Sequence, residues 1–495
     1  MSVLRRVLAV VVTGCALAPI AIGAPALAAP APRVVLPSSG CANDLPQPPS
    51  PGSPLPQVPP RVDFNVPYLK LQPVPQFGPQ NSRQRIPSQP TPKDPCKDPC
   101  PDITDPPKPA AQVPTGSGNI PIPKITITPR PFLTLPVPVP GGTPPPGQAR
   151  PPRLIPGTTP GSVTPKLPNP RAGGLNYVAQ LTGKGSTSRT DKRFQVNGTD
   201  LGIMWKATPN KVAVAFGDTF GRGFRPPGAN GGDWRSNTLG FSEDSKLADG
   251  MSIDTMVQDS RCHAAELIAS RKVNYAEQTT IPTSGFAIGN RQYMSYMSIN
   301  NFTLPGQWFT NYGGLAWSDD GGSTWTNSQY ARWDNMFGLA NFQVSSMVPQ
   351  GDYVYMFGTP NGRLGSTGLA RVPTADVLNK SAYQYWINGN WVPTNNGENA
   401  SPIFGGPTGE LSVRYEERSK LWQATYLDVL RGAIVLRQSR SPQGLWSEPT
   451  NLMSSAKYPQ LYGGFMHPFS TDKDLYFTAT TYTSYNVDLM HVRTN

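Results

Sequence analysis

The sequence predicts an all-β fold: a five-bladed β-propeller over residues 174–495, preceded by a signal peptide and a disordered proline-rich tether. Two observations carry this prediction. Pairs of apolar strands recur five times in the C-terminal part, with first strands beginning at residues 211, 291, 352, 420 and 474, about 66 residues apart. That length suits a four-stranded blade with long loops. An Asp-box, a turn motif typical of propellers, follows one of the pairs.

The C-terminal part is rich in aromatic and β-branched residues, glycine and asparagine, a composition that favours strands and turns over helices. The predicted strand pairs are Lys211–Phe216 with Asn237–Ser242, Arg291–Ser298 with Gly314–Ser318, Asp352–Gly358 with Gly368–Val372, Lys420–Leu427 with Ala433–Gln438, and Asp474–Thr480 with Asn486–Val492. The Asp-box spans Ser318–Trp325, and a variant of it spans Ser439–Trp446. We expect Asp320 to hold the turn and to have no catalytic role.

The N-terminus predicts export, with residues 1–28 as a signal peptide. Arg5 and Arg6 precede a short apolar run over residues 7–22, and Ala26-Leu27-Ala28 supplies the small-residue site at which we expect cleavage. Cys15 lies in a segment that also resembles a lipobox, so lipid anchoring at Cys15 is the alternative. Either route predicts a protein of the cell envelope, outside the cytoplasmic membrane.

Residues 29–173 form the predicted tether. Of the 59 prolines, 42 lie between Pro30 and Pro170. Proline fixes φ and lacks an N–H, so we expect extended, disordered chain here rather than helices or sheet ladders. A spacer through a cell wall and a linker without any partner are both compatible with this composition.

Charge separates the two parts. From residue 174 onward there are 27 Lys and Arg against 25 Asp and Glu, so the first 173 residues carry +10 of the net +12. We expect the basic tether to contact anionic envelope components through screened, nonspecific attraction. An exported chain whose folded part has no basic stripe is a poor candidate for a nucleic-acid-binding protein.

The cysteine and histidine content predicts neither a metal site nor a cofactor. Apart from Cys15, four cysteines remain (Cys41, Cys96, Cys100 and Cys262), and they allow three disulfide connectivities. Cys262 is expected to be buried or paired with the tether rather than to act as a nucleophile. The chain has only three histidines, too few for a histidine-rich metal centre.

Short segments of the C-terminal part resemble a known family. The segments are Thr199–Gly202, Gly217–Phe220, Arg235–Asn237, Gly409–Val413 and Tyr462–Pro468. They are similar to the domain of unknown function 4185, whose members are grouped as glycoside hydrolase family 183, the endo-D-arabinofuranases. The resemblance covers about residues 174–495. It implies a five-bladed propeller that cleaves D-arabinan, the furanose polymer of mycobacterial arabinogalactan and lipoarabinomannan.

Three acids are the candidate catalytic residues. Glycoside hydrolysis usually needs one carboxyl group as acid and one as base or nucleophile. Asp200 and Glu410 begin predicted inner strands, and Asp218 follows a strand that returns to the same face, so all three are expected to converge at one end of the propeller. We expect Asp200 or Asp218 to be the base or nucleophile and Glu410 the acid. Asp218 as a turn carboxylate is the structural alternative.

Four further residues are candidates for substrate binding: Arg235, Asn237, Tyr462 and His467. The structural alternatives are a surface arginine for Arg235, a turn asparagine for Asn237 and a satisfied buried histidine for His467. Endo or exo cleavage and retention or inversion stay open, because inversion depends on the separation of the carboxyl groups.

A non-catalytic glycan-binding propeller is the main alternative, since fold does not determine function. A sialidase-like enzyme is disfavoured, because the arginine-containing signature expected in its first blade is missing.

Overall fold

The computed structural model describes residues 61–75, 85–86, 104–108, 124–142, 156–303, 306–335 and 338–494. Strands dominate these residues, which confirms the predicted all-β class. The predicted signal peptide lies outside the described residues. No helix in the described ranges is both long enough and apolar enough to span a membrane.

Four strands and one short helix precede the first large sheet. They are β1 (Arg61–Pro75), β2 (Lys124–Val139), β3 (Thr159–Pro160), β4 (Ala172–Gln180) and α1 (Thr190–Arg193). β1 and β2 pair in parallel, which corrects the expectation that the proline-rich region would form no sheet ladder. In a two-stranded ribbon each strand has one unpaired edge, and a proline whose missing N–H would face that edge costs no ladder bond.

The first sheet is antiparallel and is accompanied by two small ribbons. The sheet and the ribbons contain, in chain order, β5 (Leu201–Thr208), β6 (Lys211–Phe216), β7 (Thr219–Phe220), β8 (Trp234–Arg235), β9 (Thr238–Ser242), a 3₁₀ turn (Leu247–Asp249), β10 (Thr255–Met256), β11 (Gln258–Ser260) and β12 (His263–Ala264). The sheet order is β5-β6-β9-β10, while β7 pairs with β8 and β11 with β12.

Four more antiparallel sheets follow in chain order. The second contains β13 (Thr279–Ile288), β14 (Arg291–Phe302), β15 (Trp308–Ser318) and β16 (Thr326–Asp334). The third contains β17 (Val344–Gln350), β18 (Tyr353–Thr359), β19 (Gly368–Pro373), β20 (Gln384–Ile387) and β21 (Asn390–Pro393), and β3 pairs with its edge strand β21. Two 3₁₀ turns, Thr374–Asp376 and Lys380–Ala382, lie between β19 and β20, and a third, Gly397–Asn399, follows β21. The fourth contains β22 (Leu411–Glu416), β23 (Leu421–Asp428), β24 (Ala433–Ser439) and β25 (Thr450–Ser454). The fifth contains β26 (Leu461–Met466), β27 (Asp474–Thr481) and β28 (Val487–Thr494), with β4 as its fourth strand.

The first strands of the five sheets pack against one another in a ring. β5 contacts β13, β13 contacts β17, β17 contacts β22, and β22 contacts β26, which packs back against β5. The N-terminal strand β4 completes the last sheet, so the two ends of this part of the chain are joined by hydrogen bonds. The apolar core lies in clusters within and between adjacent sheets.

The five strand pairs predicted from sequence are the second and third strands of the five sheets. Each pair is antiparallel and hydrogen-bonded, as in β6 with β9 and β27 with β28. The sequence pattern identified these strands because buried apolar residues recur along each of them.

The Asp-box has the structural role expected of it. Asp320 accepts hydrogen bonds from the Thr324 amide at 2.9 Å and from the Ser318 hydroxyl at 2.7 Å. The indole of Trp325 donates to the Gly322 carbonyl at 2.8 Å and is buried in the core. These contacts close the turn between β15 and β16.

Cys262 is buried and disulfide-bonded, with its partner outside the described residues. The expectation that it would be paired rather than a nucleophile is confirmed.

Candidate active site

Asp200 lies immediately before β5, at a turn with unusual backbone geometry. Leu201 and Gly202 have φ angles of +71° and +75°, and a positive φ is uncommon for a residue such as leucine. The amides of Gly202 and Gly217 donate to the Asp200 carbonyl at 3.1 and 3.3 Å. A Cβ on Gly217 would lie 2.3 Å from Oδ1 of Asp200, so only glycine leaves room for this carboxyl group.

The Asp200 carboxyl group is set up to hold a proton near neutral pH. Burial and then the negative charge of Asp218 raise the pKa of Asp200 to about 7, although Tyr462, Tyr485 and Lys108 act to lower it. The Tyr462 hydroxyl donates to Oδ2 of Asp200 at 3.1 Å. A carboxylic acid that stays protonated close to pH 7 is what a general acid requires.

Asp218 lies between β6 and β7 and is almost fully buried. Its Oδ1 accepts hydrogen bonds from the Trp234 indole and the Thr279 hydroxyl, both at 2.8 Å. Its Oδ2 accepts one from the Lys108 ammonium at 2.5 Å. Both carboxylate oxygens of Asp218 are therefore engaged by donors.

Glu410 lies immediately before β22 and is paired with Arg363. The Nε atom of Arg363 donates to the two carboxylate oxygens of Glu410 at 2.9 and 3.1 Å, and Nη2 makes a further contact to Oε1. Burial opposes the charge on Arg363, but Glu410 outweighs it and raises the pKa of Arg363. Both carboxylate oxygens of Glu410 are therefore engaged by one arginine, a geometry that fixes the orientation of the two side chains.

Tyr462 connects the two halves of the site. It lies in β26, and its ring centroid is 5.1 Å from the guanidinium carbon of Arg363, while its hydroxyl contacts Asp200. The structure therefore brings together Asp200, Asp218, Glu410 and Tyr462, four residues predicted from sequence, although they come from three different sheets and the loops beside them.

Arg235 and Asn237 lie close to this cluster in sequence, but their hydrogen bonds go to the protein itself. Arg235 is fully buried and donates to the carbonyls of Ala264, Gln195 and Asp233. Asn237 is also fully buried. Its side-chain nitrogen donates to the Ile268 carbonyl, and its side-chain oxygen accepts a hydrogen bond from the Ile268 backbone N–H. Both side chains have structural hydrogen bonds, and the alternative of a surface position for Arg235 is wrong, because Arg235 is fully buried.

His467 lies at the other end of β26 from Tyr462, directly after the strand. It is fully buried, and its Nδ1 accepts a hydrogen bond from the Phe469 amide at 3.1 Å. Burial, with the nearby charges of Arg414 and Lys206, lowers its pKa to about 3. The structure does not place His467 with the acids.

Asp105, Asp233 and His263 present potential metal-ligand atoms within 4.8 Å of one another. His263 bonds Asp233 at 2.9 Å through Nε2 and Asp259 at 2.7 Å through Nδ1. Burial opposes a charge on His263, but these two carboxylates outweigh burial and raise its pKa. With Arg235 also bonded to Asp233, the geometry is that of a buried ion-pair network.

Sequence reasoning missed Lys108, Thr279 and Arg363, and it gave Trp234 only a stacking role. None of them lies in a distinctive motif. Thr279 begins β13, the first strand of the second sheet, a position that could have been searched. Lys108 and Arg363 come from irregular segments, and their approach to Asp218 and Glu410 depends on long-range folding.

The fold is all-β, and it places Asp200 directly before β5 and Asp218 between β6 and β7. The chain belongs to the family of the domain of unknown function DUF4185, whose family model matches residues 185–491. This confirms the family resemblance found in the sequence.

Two fungal proteins are similar to this chain. Notoamide biosynthesis cluster protein J of Aspergillus sp. (strain MF297-2) is 31% identical over 330 residues, which span 61% of this chain and 84% of that protein. Notoamide biosynthesis cluster protein J' of Aspergillus versicolor is 32% identical over 336 residues, which span 61% and 85%.

Solved structures resemble the fold more distantly. A putative hydrolase from Bacteroides ovatus is 14% identical with a TM-score of 0.42 and covers 61% of this chain and 87% of its own. An exo-β-1,3-galactanase from Phanerochaete chrysosporium is 10% identical with a TM-score of 0.41 and covers 64% of each chain. Similarities at this level carry no conclusion about function.

Proposed function

We propose that this protein is an exported glycoside hydrolase that cleaves D-arabinofuranosyl linkages of cell-wall arabinan. The observation that carries the hydrolase proposal is the pair of buried carboxyl groups, Asp200 with a pKa of about 7 beside the hydrogen-bonded Asp218. Two carboxyl groups held in different environments, one of them protonated close to neutral pH, fit glycoside hydrolysis. The D-arabinan substrate rests on the family resemblance.

The geometry favours Asp200 as the acid and Asp218 as the base or nucleophile. Sequence reasoning expected Glu410 to be the acid, but both of its carboxylate oxygens accept hydrogen bonds from Arg363, which fits a positioning role better. In the proposed mechanism Asp200 gives its proton to the leaving oxygen of the sugar, while Asp218 acts on the anomeric carbon directly or through a water molecule. Glu410 and Arg363 orient the substrate beside them.

The five sheets, whose first strands form a closed ring, are proposed to be the five blades of a propeller. In a propeller the inner strands meet at a central funnel, and Asp200 and Glu410 both precede inner strands. The signal peptide and the basic tether support action in the cell envelope, where the tether would contact anionic polymers.

The test is digestion of purified mycobacterial arabinogalactan by residues 29–495, with chromatography of the released oligosaccharides. Xylan and β-1,3-galactan serve as control polymers. Arabinose oligomers from arabinogalactan alone support the proposal, and their lengths distinguish endo from exo cleavage. Retained binding of arabinogalactan without any product would instead favour the non-catalytic glycan-binding propeller.

Two variants assign the acid. Asp200→Asn is expected to lose about a hundredfold or more in kcat/KM, the usual contribution of a general acid. Glu410→Gln is expected to raise KM more than it lowers kcat, because Glu410 holds Arg363 in place. Loss of kcat in Glu410→Gln with activity retained in Asp200→Asn would return the acid role to Glu410.

A further inference from the structure

A short piece of the proline-rich region lies inside the candidate active site. The ammonium of Lys108 is 2.5 Å from Oδ2 of Asp218, and the side chains of the two residues are only 9% and 4% exposed. The same ammonium lies 4.8 Å from the ring centroid of Phe302 and 5.5 Å from that of Trp234. Surface lysines rarely exchange water for such an enclosed contact.

Lys108 engages the oxygen that Asp218 would need for chemistry. Trp234 and Thr279 already bond Oδ1 of Asp218, so Oδ2 is the atom left to attack an anomeric carbon or to accept a proton from water. The buried Lys108 ammonium occupies a lone pair of Oδ2 through its hydrogen bond and fills the space next to this oxygen. A sugar ring and the Lys108 side chain would therefore compete for the same place.

The backbone on the N-terminal side of Lys108 is also held in the site. The amide of Asp105 donates to Oδ1 of Asp233 at 2.8 Å, and the amide of Trp234 donates to the Pro106 carbonyl at 3.3 Å. Pro106 and Pro107 have fixed φ angles, so little conformational entropy is lost when the segment is held extended. Further upstream, Ile86 forms a backbone bridge with Gln258.

We propose that Asp105–Lys108 is a built-in inhibitory segment that occupies the site at Asp218 and must leave before a glycan can bind there. The proposal rests on the proposed function in taking Asp218 as part of a glycan site. Hydrogen bonds and the ion pair of Lys108 with Asp218 are reversible contacts, so the segment exchanges with substrate instead of blocking the site permanently. Apparent affinity for glycan then falls in proportion to the fraction of molecules with an open site.

The test compares the mature chain, residues 29–495, with Lys108→Met and with Lys166→Met. Methionine keeps much of the length of the lysine side chain but removes the charge that contacts Asp218. Lys166 is the matched control, because it also precedes the sheets and pairs with a carboxylate, Glu448, but is exposed to solvent. Binding of arabinan oligosaccharides is measured by calorimetry, and kcat/KM is measured on arabinan.

Lys108→Met is expected to bind oligosaccharide about tenfold more tightly than the wild type and to gain a similar factor in kcat/KM. Lys166→Met should match the wild type. Equal binding and activity in all three proteins would overturn the inhibitory role while leaving the hydrolase proposal intact. Loss of activity in Lys108→Met without tighter binding would also overturn it, and would make Lys108 a catalytic group supplied by the N-terminal region.

Tighter binding by Lys108→Met, with no cleavage by any of the proteins, would support the inhibitory segment and remove the hydrolase proposal. A measurement without glycan gives an independent check, namely acylation of lysines followed by peptide mass spectrometry. Lys108 should react at least about tenfold more slowly than Lys166 in the wild type, and this protection should disappear in Asp218→Asn. Equal reactivity of the two lysines in the wild type would contradict the proposal.

Discussion

Ionisable groups lie near both ends of the strands that come first in each of the five sheets, but burial moves their pKa values in different directions. Where the strands begin, burial and a neighbouring carboxylate raise the pKa of Asp200 to about 7. Where they end, burial lowers the pKa of His467 to about 3 and that of Arg414 to about 10. Burial disfavours charge at both ends, but only at the first end does it bring a titration close to neutral pH.

The partners of these groups explain the difference. Arg414 donates to the carbonyls of Ser470 and Thr471 at 2.6 and 2.8 Å, so it holds the loop after β26. Asp200 instead faces a second carboxyl group, Asp218, and a tyrosine hydroxyl. The groups proposed for proton transfer therefore lie at one end, while Arg414 holds a loop at the other.

The largest effect is expected at the acid end. Asp218→Asn should lower kcat/KM on arabinan by about a thousandfold, within the usual range for loss of a general base or nucleophile. Asp319→Asn is the matched control, because Asp319 is an exposed carboxylate paired with Arg291. Activity of Asp218→Asn within tenfold of the wild type would break the comparison.

Asp200→Asn should change stability in a pH-dependent way. The pKa of Asp200 is higher in the folded chain than the unfolded value of 3.8, so its ionisation destabilises the fold as pH rises from about 4 through 7. The shift corresponds to about 4 kcal/mol in the free energy of unfolding. The free energy of unfolding is measured with denaturant at pH 4.5 and pH 8. Relative to the wild type, Asp200→Asn should be more stable at pH 8 than it is at pH 4.5. An equal difference at both pH values would contradict the raised pKa.

Arg414→Gln should lower stability without lowering activity. Its loss leaves the carbonyls of Ser470 and Thr471 without their charged donor, at a cost of about 3 kcal/mol in the free energy of unfolding. At 25 °C kcat/KM should stay within twofold of the wild type. A loss of activity comparable to that of Asp218→Asn would show that the second end also takes part in catalysis.

Asp320→Ala sharpens the comparison at a place remote from both ends. It removes the hydrogen bonds that close the Asp-box turn and should cost about 1 kcal/mol in the free energy of unfolding, with kcat/KM unchanged. Thermal unfolding and arabinan digestion of the same preparation measure both quantities. A variant that unfolds normally but loses activity would contradict a purely structural Asp-box.

The sequence predicted the repeating architecture better than the site. Strand pairs such as β6 with β9 were visible because apolar residues and turn signals recur locally. The positions of Asp200 and Glu410 directly before β5 and β22 agree with the strands expected from the sequence. The roles proposed for these acids depend on Arg363 and Tyr462, whose tertiary contacts the sequence does not give.

The proline-rich region shows the opposite limit of sequence reasoning. Composition predicted extended, disordered chain, yet β1 and β2 pair with each other and Lys108 enters the active site. Low sequence complexity gives the backbone preference of a segment, but it does not say which single side chain finds a buried partner.

The most direct test of the acid pair is the pH dependence of kcat/KM for arabinan, measured for the wild type and Asp200→Asn. With Asp200 as the proton donor, the wild-type value should fall about tenfold per pH unit above a pKa near 7. Asp200→Asn should be slower at every pH and should lack this alkaline limb. A wild-type profile that stays flat to pH 9, or the same alkaline limb in Asp200→Asn, would contradict the account.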